Sequence, residues 1–246
     1  ESTFVLGTYD TARRWARYFF EEPFLALTDV AIAGLRPLAQ ASERFRELAG
    51  NAVLAMMTAS LPALSFVAIE ADALVRVVLG EQWLGAIPLL RVLALAAGFA
   101  ALSSVARWIY LATGRTRRLV RWSVFVRFPV MAVAALVGTL WGAYGVAVAV
   151  AIASGLLVIP TVWYSVRETP VTTHDMIRWA ARPAACSVGA AAMLALAHPF
   201  LDPVGVSRLL QAGALHGTAF AVLWHLAPGG LRDTRALLHT LRGASR

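Results

Sequence analysis

Between residues 13 and 36 the chain carries charged side chains at helical spacing. Glu22, Asp29 and Arg36 recur every seven residues, and two helical turns cover about 7.2 residues, so the three share a face. Arg14, Glu21 and Thr28 form the adjacent row, and Arg17 sits one turn before Glu21. Arg13, Arg14 and Arg17 supply planar guanidinium forks, which stay charged and donate two parallel hydrogen bonds to a phosphate or carboxylate. These arginines, with Glu21 and Asp29, make a candidate anion-binding stripe. Further along, Ser103, Ser104 and Arg107 form a second polar cluster, with Arg107 joining the candidate substrate-binding residues of the cavity, and Arg127 stands near the middle of an apolar block. A blander arrangement satisfies the same residues: Arg17–Glu21 and Arg14–Glu21 as surface pairs at a helix mouth, Arg36 reaching for headgroups, and Arg107 as a helix-end anchor.

Other chemistry is poorly provided for. The five histidines show no His-x-x-x-His spacing and no accompanying carboxylates, so neither a metal nor another cofactor is expected. Cys186 is the only cysteine, which excludes an internal disulfide and a Cys-based metal site. No Gly-x-Ser-x-Gly or Walker loop occurs. His174–Asp175 is the one adjacent pair that a membrane transferase could use, and nothing else supports it.

The elements that must hold these residues follow from composition. Apolar and aromatic residues make up 59% of the chain and charged ones only 15%, against about a quarter charged in soluble domains. Mean hydropathy is +0.67. The apolar residues fall into blocks of roughly 20, enough to cross a hydrocarbon layer of about 30 Å. Every backbone polar group must be satisfied within the chain there, so the blocks are expected to be helices. The fold class is therefore all-α membrane, with about seven transmembrane helices near 17–38, 51–69, 85–112, 119–140, 143–165, 178–198 and 207–227. Charge at membrane depth costs a few kcal/mol per group on insertion scales and normally faces a bundle interior or a hydrated cavity. The stripe on the first block is thus expected to line a cavity. Small residues crowd the fifth and sixth blocks, around Gly145, Gly155 and Gly189, where close helix packing is expected. Trp15, Trp108, Trp122, Trp141, Trp163 and Trp179 read as interfacial belts.

The chain has 22 Lys+Arg against 14 Asp+Glu, a formal charge of +8, and every basic residue is arginine. In so apolar a chain this surplus belongs to cytoplasmic loops facing anionic lipid, not to nucleic acid. Arg115, Arg117, Arg118 and Arg121 share one loop without an acid; Arg167, Arg178 and Arg182 flank another; Arg232, Arg235, Arg242 and Arg246 fill the tail. All three regions fall on one side if each block crosses once, which puts the C-terminus in the cytoplasm. Seven crossings then start outside, so Arg13, Arg14 and Arg17 oppose the positive-inside trend. Glu1 in place of Met suggests a truncated start.

Three stretches in order carry a resemblance: Leu6-Gly-Thr-Tyr-Asp-Thr-Ala-Arg-Arg-Trp at 6–15, Leu35-Arg-Pro-Leu-Ala-Gln at 35–40, and Leu79-Gly-Glu-Gln-Trp-Leu-Gly-Ala-Ile-Pro-Leu-Leu-Arg-Val-Leu-Ala at 79–94, followed by Leu111-Ala-Thr-Gly-Arg. Over about residues 5–170 the sequence resembles bacterial polysaccharide (O-antigen type) flippases of the multidrug/oligosaccharidyl-lipid/polysaccharide exporter superfamily. The resemblance implies a two-lobed protein of 14 helices, of which this chain holds the C-terminal half: residues 1–170 with five helices of the lobe, and 171–246 with two terminal helices and a cytoplasmic tail. It implies translocation of undecaprenyl-diphosphate-linked oligosaccharide across the bacterial inner membrane, with a missing N-terminal lobe and membrane lipids as partners. Related lipid II flippases use arginines on the equivalent first helix, and the resemblance carries that role to Arg13, Arg14 and Arg17. Their acidic cation site has no counterpart, since the fourth block holds no carboxylate. An exporter of a drug or metabolite in the same superfamily, and a polyprenyl-dependent membrane transferase, are the other readings.

Overall fold

The computed structural model describes residues 32–38, 42–203 and 205–230. The stripe residues Arg13, Arg14, Arg17, Glu21, Glu22 and Asp29 lie outside them. Among the described residues the chain is helical with no strand. Among the described residues four helices are long and apolar enough to cross a membrane: Glu43–Ile69, Glu81–Ala112, Thr116–Val166 and Thr173–Phe200.

The first long helix, α1 (Ser42–Ile69), contains Pro62 and begins nine residues before the expected Asn51. The correction has a plain cause. Residues 43–47 are polar enough to end an apolar block, yet every fourth position turns inward, so Phe45 and Ala49 are buried while Glu43 and Arg44 stay exposed. After Glu70 comes a short α2 (Ala71–Leu74), which runs into a π turn over Val75–Leu79 and a 3₁₀ turn over Glu81–Ala86. Next, α3 (Ile87–Ala112) ends at Gly114, whose φ of +70° suits glycine.

The 51-residue run from Thr116 to Val166 is far longer than one crossing needs, and it folds back on itself. It comprises α4 (Thr116–Trp122), a π turn over Ser123–Arg127, α5 (Phe128–Gly138), a 3₁₀ turn, and α6 (Gly142–Val166). Gly142, at φ +70°, makes the reversal. The expected tight turn at Trp141-Gly142-Ala143 is therefore present. Beyond it, α7 (Thr173–Ala197) begins five residues before the expected position 178. A capping box holds that start: the Thr172 side chain accepts from the Asp175 N–H, and the Asp175 side chain accepts from the Thr172 N–H. The last helix described is α8 (Val206–Leu226); it matches the expected seventh block in position but is not among the four most apolar spans.

Packing places α1 at the centre, against α3 on one side and α7 on the other; α6 lies on α3, α5 on α6, and α8 on α7. The main core includes Phe45, Met57, Trp108, Ile109, Val162 and Met176. Trp108 is 1% exposed, which corrects its expected place in an interfacial belt; Trp141 and Trp163 are exposed, as a belt requires. Small residues set the close contacts. A Cβ on Gly138 would meet the Val146 backbone at 2.5 Å, while Gly155 faces the Phe99 ring and Gly189 faces Leu223. The outer surface carries Phe125, Phe128, Leu136, Leu156, Leu196 and Leu210, all exposed. So extensive an apolar exterior belongs against lipid or another apolar surface. The protein is a helical membrane protein.

Candidate functional site

Charged groups gather at the two ends of the bundle. At one end the starts of α1 and α7 meet: Arg46 donates from Nε to Asp175 Oδ2 (3.2 Å) and from Nη2 to Oδ1 (2.6 Å). Asp175 is buried, while the Arg46 side chain is 42% exposed. At the same end the loop after α3 grips the loop after α6. Arg115 Nη2 donates to the Glu168 carbonyl (2.7 Å), Arg118 Nη1 to the Arg167 carbonyl (3.1 Å), and Arg118 Nη2 to Glu168 Oε1 (3.0 Å). Arg167 lies over the Trp163 ring, 4.1 Å from its centroid, and Arg182 donates to the Pro228 carbonyl. The arginine-rich segments 115–121, 167–182 and the region after α8 thus share one end of the molecule, the grouping that the loop charges required.

The opposite end is built around one buried ion pair. Glu70, 1% exposed, accepts from Arg208 Nε (2.8 Å) and Nη2 (3.1 Å), and the Arg208 side chain is 6% exposed. Arg208 Nη1 also donates to the Asp202 carbonyl (3.1 Å). This fork joins the end of α1 to the start of α8. Between the ends, His216 Nε2 lies 3.0 Å from the Pro62 carbonyl and 3.2 Å from Ser65 Oγ. A carbonyl can only accept, so that ring nitrogen carries the hydrogen. Sequence reading missed all three contacts, because their partners lie 129 to 154 residues apart. The faint signal available was a lone charge at the edge of an apolar block, at Arg46, Glu70 and Arg208.

Of the expected site residues, Arg107 is described. It stands on an exposed face of α3. Arg36 lies in a short 3₁₀ turn over Arg36–Leu38 and is exposed. In the His174–Asp175 pair, the Asp175 carboxylate is taken up by Arg46 and by the Thr172 cap. Among the described residues no group of three His, Cys, Asp or Glu side chains comes together to hold a metal ion. The one cysteine, Cys186, is free and buried.

A profile of the family described as "Polysaccharide biosynthesis protein" matches residues 2–88. Over these residues the chain is similar to that polysaccharide biosynthesis family. The match spans the expected anion-binding stripe, α1, α2 and the Leu79–Pro88 stretch, so the family resemblance read from the motifs is borne out over residues 2–88. No curated protein and no solved structure matches the chain.

Proposed function

We propose that the chain moves undecaprenyl-diphosphate-linked oligosaccharide from the inner to the outer leaflet of the bacterial inner membrane, by alternating access, for polysaccharide or lipopolysaccharide export. The observation that carries this reading is the family match over residues 2–88, which contains Arg13, Arg14 and Arg17. Residues 1–170 form one lobe of the transporter and residues 171–246 its terminal helix pair and cytoplasmic tail. An opposing lobe faces this one across a hydrated cavity.

The physics of the step is that of a lipid with a doubly charged head. The diphosphate cannot enter hydrocarbon unaided, while its prenyl tail has no reason to leave it. A cationic, wet cavity between two lobes offsets the desolvation of the head, and the tail trails through a lateral gap. Guanidinium forks bind phosphate oxygens in pairs, and distributing them over several residues keeps each contact weak enough for release.

Replacing Arg13, Arg14 and Arg17 together by alanine in the natural gene, in its own host, is expected to reduce surface polysaccharide strongly without changing the amount of protein in the membrane. Wild-type polysaccharide from the triple variant at normal protein level would overturn the assignment of these arginines.

A further inference from the structure

Where α1, α7 and α8 pack together, one buried side chain is only half satisfied. His216 of α8 is 4% exposed. Its Nε2–H donates to the Pro62 carbonyl of α1 (3.0 Å), with Ser65 Oγ 3.2 Å away, and its ring centroid lies 5.8 Å from that of Phe66. Ser65 Oγ also donates to the Pro62 carbonyl (3.0 Å). Since Nε2 carries the hydrogen, Nδ1 holds a bare lone pair. That atom is buried and, among the described residues, has no hydrogen-bond partner. Holding the Pro62 carbonyl needs one N–H; the second ring nitrogen is left over, and buried polar atoms are rarely left so.

The contact is deep in the bundle and beside a hinge. Pro62 lies eight residues before Glu70 and His216 eight after Arg208, so on both helices it sits about 12 Å in from the buried fork. Pro62 has no N–H for the Thr58 carbonyl one turn back, which weakens α1 at that level. The Pro62 carbonyl is in turn the acceptor that the Phe66 N–H uses in a regular helix. His216 and Ser65 therefore draw on the same oxygen that closes the turn after the proline.

The charges on the elements packed around His216 are already engaged. Glu70 of α1 and Arg208 of α8 hold each other. Asp72 of α2 accepts from Arg76 (3.0 Å). On α7, Arg182 donates to the Pro228 carbonyl at the far end of α8, and Cys186 is a buried thiol. His225, farther along α8, is exposed. No group of three His, Cys, Asp or Glu side chains meets among the described residues to hold a metal ion. A single buried lone pair has room for one ligand, a proton. Imidazole is the side chain that takes one up between about pH 5 and pH 8.

We propose that His216 is a proton-binding site that works the hinge of α1 at Pro62. Hydronium gives its proton to the Nδ1 lone pair, an N–H bond forms and the ring becomes a cation; return of the proton to water restores the neutral ring. Charging strengthens the Nε2–H bond to Pro62, since charge-assisted hydrogen bonds are about twice as strong as neutral ones. The Pro62 carbonyl is then drawn toward α8 and away from the Phe66 N–H, and α1 loosens at the proline. Ionisable groups at membrane depth are functional by default, and this one makes the bend of α1 depend on pH. The site does not rest on the proposed flippase reading and holds whatever the cargo.

The test uses the full natural protein in nanodiscs, with hydrogen exchange read by mass spectrometry over about pH 5 to pH 9. Exchange of the imidazole C2 hydrogen reports the protonation of each histidine, and the exposed His174, His198 and His225 serve as references. His216 is expected to give a sigmoid with its midpoint in that range. Amide exchange of the peptide spanning Pro62 and Phe66 is compared with that of His216→Gln, which keeps an N–H for Pro62 but takes no proton. Below the midpoint the wild-type peptide should exchange about fivefold faster, the gap between a charged and a neutral hydrogen bond; above it the two should agree. A flat C2 profile for His216 beside titrating references would overturn the proton site. Peptides that match at every pH, or differ equally at every pH, would overturn control of the hinge and leave a structural histidine. If His216→Gln does not assemble, Ser65→Ala carries the comparison. It should move the His216 midpoint and leave the references in place, and an unmoved midpoint would overturn the link between the ring and Pro62.

Discussion

Glu70 and Asp175 are both paired carboxylates at the ends of α1, yet their removal should cost very different amounts. Glu70→Ala leaves the Arg208 guanidinium buried without its counter-charge, and breaking such a pair typically costs about 3–5 kcal/mol. The neighbouring Asp202 carbonyl accepts only one of its N–H groups. Asp175→Ala leaves Arg46 able to turn to water, since that side chain is 42% exposed; the main loss is then the helix cap, about 1 kcal/mol. Thermal unfolding in detergent should therefore rank Glu70→Ala well below Asp175→Ala. The Glu70→Ala/Arg208→Ala double variant should recover part of the deficit. Equal midpoints for the two single variants would show that the Glu70–Arg208 fork is open to solvent in the folded protein. None of this was legible in the sequence, where Glu70 and Arg208 read as lone charges at the edges of two apolar blocks. Arg107 and Arg127 were legible as intrusive charges in apolar blocks.

The helices themselves were largely written in the apolar blocks. Most boundaries of α3 to α8 fall within a few residues of those expected, because Gly114, Gly142 and the Thr172 cap are strong local signals. The start of α1 was missed because an amphipathic turn, inward at Phe45 and outward at Arg44, looks polar when hydropathy is averaged. Trp108 was misread for a related reason: nearness to a block's end says nothing about which face a residue occupies. Packing at the element scale rests on backbone approach. Gly138→Ala would press a methyl group into the Val146 backbone at 2.5 Å, with no flexible atom to move, whereas the obstacle at Gly189 is the far end of the Leu223 side chain at 2.8 Å. Gly138→Ala should thus lower the unfolding midpoint clearly, in line with overpacking costs of about 1–3 kcal/mol, and Gly189→Ala much less. A larger effect at Gly189 would mean that the α7–α8 contact is the tighter of the two.

For the whole molecule, the grouping of loops at two ends makes a prediction about sidedness. Arg117 and Gln82 are both exposed and stand at opposite ends. Cys186 is buried, so it contributes little background to thiol labelling. In intact cells a membrane-impermeant maleimide should label Gln82→Cys and spare Arg117→Cys until the inner face is opened. Labelling of Arg117→Cys from outside would invert the proposed orientation. The sequence foretold this grouping through its arginines. It could not reveal that α1 is tied to α7 and α8 by charge at both ends.

Those ties also carry a cost in time. Arg46 meets its partner 129 residues later in the chain, and Glu70 meets Arg208 138 residues later. At about 5–20 residues per second of synthesis, Glu70 waits on the order of ten seconds after it leaves the ribosome before its counter-ion exists. During biogenesis α1 must therefore be parked, with an unneutralised carboxylate at its far end, in the insertion machinery or against its chaperones. Nascent chains that stop short of α8 would keep that charge permanently, a mark by which membrane quality control could tell them from finished ones.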